Sequence, residues 1–124
     1  MTKVLIVDDS ATIREMVAMH LTEMGFEVEE AFDGADGVEK LKSSSFDLVI
    51  TDVVMPNMNG YEFCRWVKNY PTTKTIPVLM CTTKSEEFDK YWGMKQGADA
   101  YIVKPFKREE LVSAVKKLLA PVKG

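Results

Sequence analysis

FDLVITDVVMPNMNG, residues 46–60, is the stretch whose reading decides the fold. Its apolar run Leu48-Val49-Ile50 is too short for a helix and suits a strand buried on both faces. That strand delivers Asp52 to its end. Met55-Pro56 follows, where proline removes a ladder donor, and then Asn57-Met58-Asn59-Gly60, whose Asn-Gly pair favours a turn. The Asp52 carboxylate is therefore expected near the C-terminal edge of a strand, where open α/β sheets place their ligand sites.

On either side the same alternation recurs. Val4-Leu5-Ile6-Val7 is an apolar strand that stops at Asp8-Asp9-Ser10. Ile13, Met16, Val17, Leu21 and Met24 then recur at helical spacing up to Gly25, a residue suited to a helix C-terminus. Phe26-Glu27-Val28-Glu29 alternates apolar with acidic, which predicts a half-exposed strand at a sheet edge. Asp33-Gly34 reads as a turn, followed by a short helix carrying Ala35, Val38 and Leu41 and by a Ser43-Ser44-Ser45 loop. Beyond Gly60, Phe63, Cys64, Trp66 and Val67 predict a helix to about residue 69, closed by Pro71. Ile76 to Cys81 is the fourth strand, residues 85–96 the fourth helix, ending at Gly97, and Ala100 to Val103 the fifth strand, meeting Lys104-Pro105. Leu111, Ala114, Val115, Leu118 and Leu119 mark one face of the last helix. Five strand–helix units with mostly continuous apolar strands predict an α/β doubly wound parallel sheet with right-handed crossovers, and five are too few for an eight-fold barrel.

Composition narrows the functional classes. The 124 residues, 46% hydrophobic and 28% charged, suit one domain, residues 1–124, with a real core and no output domain. A net charge of −3 argues against nucleic acid as a direct partner, because phosphate-backbone binding needs a concentrated basic face. No run approaches a spanning helix and no signal peptide precedes the first strand, so a cytoplasmic location and no membrane partner are expected. Cys64 and Cys81 read as buried free thiols.

In a parallel sheet all strand C-termini share one rim. Asp8 and Asp9 stand there after the first strand, Asp52 after the third, Thr82 after the fourth and Lys104 after the fifth. Singly, each has a plainer reading: Asp-Asp-Ser as a helix cap, Asp52 as a turn former, Thr82 as another cap, Lys104 as a solvated lysine. Together they point elsewhere, since clustered carboxylates repel unless a cation sits among them. His20 is alone on its helix and no cysteine pair is available, so the cation is a hard, oxygen-loving one, with Mg²⁺ the best fit. With two acids neutralised, the third can act as a nucleophile towards phosphorus and form an acyl phosphate. Thr82 would hydrogen-bond one phosphoryl oxygen and Lys104 would pair with another.

VLIVDDS at residues 4–10, TDVVMPNMNG at 51–60, Thr82, and GADAYIVKPF at 97–106 together resemble the response-regulator receiver domain, of the free-standing CheY-like kind. The stretch from Cys81 to Ala98 is also similar to PilH-type receivers of pilus chemosensory systems, which would place the protein in chemotaxis or motility. The resemblance implies a (βα)5 flavodoxin-like fold with strand order 2-1-3-4-5. It implies phosphorylation of Asp52 by a histidine kinase. It further implies Mg²⁺ held by Asp9 and Asp52, by the Val54 carbonyl and, through water, by Asp8, and a cis peptide between Lys104 and Pro105. Thr82 and Tyr101 match the family's switch pair, through which phosphorylation would remodel the surface of the fourth helix, fifth strand and fifth helix. The protein would be a phosphorylated signalling protein and not a turnover enzyme, either a monomer or a phosphorylation-dependent dimer.

Some positions depart from the family's common pattern. Thr83 stands where alanine or glycine is usual, and Lys107 where the last helix usually has a capping residue. Val54 and Lys84 would flank the phosphoryl group, and neither orients an attacking water, so slow dephosphorylation is expected. In the fourth helix, Tyr91 and Met94 suit the buried face, while Phe88 and Trp92 form a second pair four residues apart. That pair reads either as core or as an exposed anchor for a partner, the kind of residue interface hot spots favour. Two other functions share features with this sequence: a receiver-fold scaffold working without phosphorylation, and an aspartyl-phosphate phosphatase. The phosphatase signature needs a second acid two residues beyond the nucleophile, where Val54 stands. A flavin-binding role fails on the Asp8-Asp9 pair, which would repel a flavin phosphate.

Overall fold

The apolar runs become β1 (Lys3–Val7), β2 (Glu27–Ala31), β3 (Leu48–Thr51), β4 (Val78–Thr82) and β5 (Ala100–Val103), all parallel, in the spatial order β2-β1-β3-β4-β5. The computed structural model describes residues 1–120; the closing Pro121 to Gly124 lies outside them. Among the described residues five helices alternate with the strands: α1 (Ala11–Glu23), α2 (Gly34–Ser43), α3 (Gly60–Asn69), α4 (Glu87–Lys95) and α5 (Arg108–Leu119). The expected doubly wound fold and strand order are both borne out.

Side chains alternate across the pleat, so each strand feeds two cores. Val4, Ile6, Leu48, Ile50, Leu79, Cys81 and Ile102 pack under α1 and α5. Leu5, Val7, Val49, Val78 and Met80 pack under α2 and α3 with Phe63, Cys64 and Val67. Because β1, β3 and β4 are buried on both faces, their sequences show no polar alternation. β2 lies at the edge as its acidic alternation predicts, starting one residue and ending two residues later than the sequence suggests, and Lys3 pairs with Glu29 at 2.6 Å. Both cysteines are free and buried, and burial pushes each thiol up to about 12.

Helix starts follow side-chain chemistry. Ser10 accepts from the Ile13 N–H at 3.3 Å, Asp33 from the Asp36 N–H at 2.8 Å, and Asn59 with Glu62 closes a reciprocal capping box on α3. Asp33-Gly34 is thus a helix cap and first residue instead of a free turn. At the start of α5, Lys107 offers no acceptor, and its N–H is met by Glu110 at 3.3 Å.

α4 corrects the sequence reading. It is shorter at both ends than residues 85–96, and Tyr91 and Met94 are 57% and 44% exposed instead of buried. The physical reason is Gly93. It is the buried residue of the helix, and a Cβ there would lie 2.8 Å from the Met80 sulfur and 3.2 Å from the Tyr101 ring. The line of closest approach to the sheet runs through this glycine, which turns Tyr91 and Met94 outward.

Candidate functional site

Register brings the strand ends level. Val7 pairs with Thr51, Thr51 with Met80, and Thr82 with Val103, so the residues that follow emerge on one rim. Backbone bonds hold the exits: the Asp52 N–H donates to the Val7 carbonyl at 2.9 Å, and the Lys104 N–H to the Thr82 carbonyl at 2.8 Å. The Lys104–Pro105 peptide is cis.

The carboxylates of Asp8, Asp9 and Asp52 each bring an oxygen within 4.8 Å of the others. Asp8 is buried, Asp52 half-buried and Asp9 exposed. The Lys104 ammonium enters from β5 and pairs with Asp8 at 2.6 Å and Asp52 at 3.1 Å. Burial raises the Asp8 carboxyl above the usual carboxylate range, although the Lys104 bond and the Ser10 N–H oppose it. Lys104 shows the opposite balance: burial would lower its ammonium, but Asp8 and Asp52 outweigh this and hold it above the ordinary lysine value. The second Asp52 oxygen accepts the Val53 N–H at 2.6 Å and, more weakly, the Val54 N–H at 3.4 Å. Arg14 donates to the Asp8 carbonyl at 2.6 Å, bracing the β1 exit from α1.

Such an arrangement suits a hard cation. Three carboxylate oxygens converge, and among the described residues a single ammonium, that of Lys104, offsets the charge of two of them. Beside the cluster, Ile13, Met16, Thr83, Pro105 and Phe106 line an open apolar recess. Val54 is exposed, and Thr82 is fully buried at the end of β4.

Tyr101 and Thr82 meet at the backbone of one residue. The Tyr101 hydroxyl donates to the Lys84 carbonyl at 2.8 Å, while the Lys84 N–H donates to the Thr82 hydroxyl oxygen at 3.4 Å. Phe88 and Trp92 belong to a separate patch. They are 71% and 41% exposed and stack on each other with centroids 6.5 Å apart and rings 4° from parallel. Core packing of this pair is therefore excluded.

Three contributors escape the sequence reading. Tyr61 on α3 donates its hydroxyl to the Asp89 carbonyl in the first turn of α4 at 3.2 Å. Gly60 lets α3 start against the strand exit, for a Cβ there would lie 2.0 Å from the Asp52 carbonyl oxygen. Asn57 donates to the buried Asp33 at 2.6 Å. Only Asn57 and Gly60 carry a local signal, the turn motif in which both sit.

Comparison with known proteins agrees with this fold. Residues 4–116 match the family described as the response regulator receiver domain. The chain is 40% identical over 119 residues to response regulator ArlR of Staphylococcus saprophyticus, covering 96% of this chain and 53% of that protein. The chain thus spans about half the length of the curated relatives it matches. Among solved structures, chemotaxis protein CheY4 of Vibrio cholerae superposes with a TM-score of 0.91 at 42% identity, covering 96% of this chain and 99% of that one. Response regulator TrrA of Thermotoga maritima, solved in complex with Mg²⁺ and BeF, gives 0.86 at 34% identity, with 96% and 100% covered.

Proposed function

This chain belongs to the response regulator receiver domain family, and on that premise we propose that it accepts a phosphoryl group on Asp52 from a histidine kinase and switches a protein-binding surface in response. The observation that carries the reading is the convergence of Asp8, Asp9 and Asp52 within 4.8 Å, with Lys104 on Asp8 and Asp52.

In this reading an Asp52 carboxylate oxygen attacks the phosphorus of phosphohistidine, the P–N bond breaks, and an acyl phosphate forms as the imidazole leaves. Asp8, Asp9 and Asp52 would hold Mg²⁺ together with the Val54 carbonyl. When bound, the ion neutralises the carboxylates and draws charge from the phosphoryl oxygens. Lys104 transfers its pairing from the Asp52 carboxylate to a phosphoryl oxygen, and the Thr82 hydroxyl donates to another.

The switch runs through Lys84. Turning the Thr82 hydroxyl towards the phosphoryl group gives up the bond from the Lys84 N–H, and movement of Tyr101 gives up the bond to the Lys84 carbonyl. The loop before α4 is released from both ends, so the surface of α4, β5 and α5 changes, and Phe88 and Trp92 are its anchors for a partner. Val54 and Lys84 flank the phosphoryl group without orienting a water, which makes dephosphorylation slow.

Incubation with acetyl phosphate and Mg²⁺ tests the reading. Intact mass should rise by one phosphoryl group in the wild type and not in Asp52→Asn. An unchanged wild-type mass would favour a scaffold, and continuous release of phosphate with substrate turnover a phosphatase.

A further inference from the structure

Among the described residues the buried carboxylates are Asp8 and Asp33. Asp8 belongs to the rim cluster; Asp33, 1% exposed, does not. Capping a helix does not require such burial, since Ser10 and Asn59 cap α1 and α3 while half-exposed. A buried charge is costly unless it is hydrogen-bonded, and the second oxygen of Asp33 has a specific partner. It accepts the Asn57 side-chain amide at 2.6 Å, across 24 residues of sequence.

Asn57 is the non-glycine residue with positive φ, at +66°, among the described residues. A left-handed conformation at a side-chain-bearing residue persists where its surroundings hold it. The hold here comes from α2. Beside the Asp33–Asn57 bond, the Gly34 N–H donates to the Met58 carbonyl at 3.2 Å, and a Cβ on Gly34 would lie 2.7 Å from that oxygen. At its base the same loop is tied by the Gly60 N–H to the Val53 carbonyl at 2.8 Å and by Asp52 to the Val53 and Val54 amides. Val54 lies between the two ties, joined through its own N–H to Asp52 on one side and through Asn57 and Met58 to the start of α2 on the other.

We propose that Asp33 and Asn57 are a positioning pair for the phosphorylation site: by clamping the tip of the loop between β3 and α3 to the start of α2, they set the Val54 carbonyl for metal binding. The inference rests on the reading of Asp8, Asp9, Asp52 and Val54 as the Mg²⁺ site. It assigns a function to α2, which contributes no residue to the cluster itself.

The test uses the full chain with two readouts: the Mg²⁺ dissociation constant by calorimetry, and amide hydrogen exchange of residues 54–59 in metal-free protein. Asn57→Gly keeps the left-handed backbone without strain and removes only the side-chain bond. It should weaken Mg²⁺ binding about tenfold, as loss of a supporting partner of a metal ligand does, and quicken exchange in the loop. Asn57→Asp sets two carboxylates against each other and should do more. Combining it with Asp33→Asn reverses the pair, since asparagine caps a helix as well as aspartate and aspartate tolerates the left-handed region. That double variant should return both readouts close to wild type. Unchanged Mg²⁺ affinity and loop exchange in Asn57→Gly would overturn the pair's role, and so would failure of the reversed pair to recover while folded. Absence of Mg²⁺ binding by the wild type would overturn the metal-site reading itself, and the inference with it.

Discussion

Lys104→Met removes the ammonium from the centre of the rim while keeping much of its volume. The Nζ atom stands 2.6 Å from Asp8 and 3.1 Å from Asp52. At an effective dielectric constant of about 20 these are gross attractions of roughly 6 and 5 kcal/mol. Desolvation of the three groups consumes much of that. What remains when one partner of a buried pair is deleted is typically a loss of about 3 to 5 kcal/mol. The repulsion now left uncovered is consistent with that figure: two carboxylate oxygens within 4.8 Å repel by about 3.5 kcal/mol or more at the same dielectric. Urea unfolding in a chelator should therefore show the variant destabilised by about 3 to 5 kcal/mol. Saturating Mg²⁺ should restore more stability to the variant than it adds to the wild type, because a site without its internal cation binds the divalent ion more tightly. Phosphorylation from acetyl phosphate should still fall, for want of the pairing with the phosphoryl oxygen. A loss below about 1 kcal/mol in chelator, the range of an exposed ion pair, or an equal loss with and without Mg²⁺, would refute the reasoning.

Further outcomes follow from other parts of the fold. Gly60→Ala drives a Cβ to 2.0 Å from the Asp52 carbonyl oxygen, so unfolding experiments should show about 3 kcal/mol of destabilisation by overpacking, whereas Gly25→Ala, at φ +86° in open space, should cost about 1 kcal/mol for its backbone alone. Gly93→Ala meets the Met80 sulfur and the Tyr101 ring and should lift α4, which quicker hydrogen exchange of the α4 amides would register. Phe88→Gln changes a residue 71% exposed; stability should stay within about 0.5 kcal/mol and Asp52 should still be phosphorylated, while capture of a partner dependent on beryllofluoride should weaken. Cys64 and Cys81, with thiols pushed up to about 12, should resist alkylation in the native protein at mildly alkaline pH and react on unfolding, since the thiolate is the reactive form; rapid native labelling would contradict their burial.

The sequence by itself determined the layers, the order of elements and the set of polar residues on the rim. Leu48-Val49-Ile50 and its counterparts are continuous apolar runs because a strand buried on both faces has no polar side to show, so composition along the chain records the fold directly. Parallel direction then puts Asp8, Asp9, Asp52, Thr82 and Lys104 at one end without further information. Tertiary structure alone decided how those residues meet. Lys104 reaches Asp8 across 96 residues and Asp33 reaches Asn57 across 24, and no local periodicity encodes such pairings. The α4 reading failed for a related reason. Its apolar residues predict a buried face, but a helix can approach the sheet only where its side chains allow, and Gly93 against Met80 and Tyr101 sets that line and leaves Phe88, Tyr91, Trp92 and Met94 facing out.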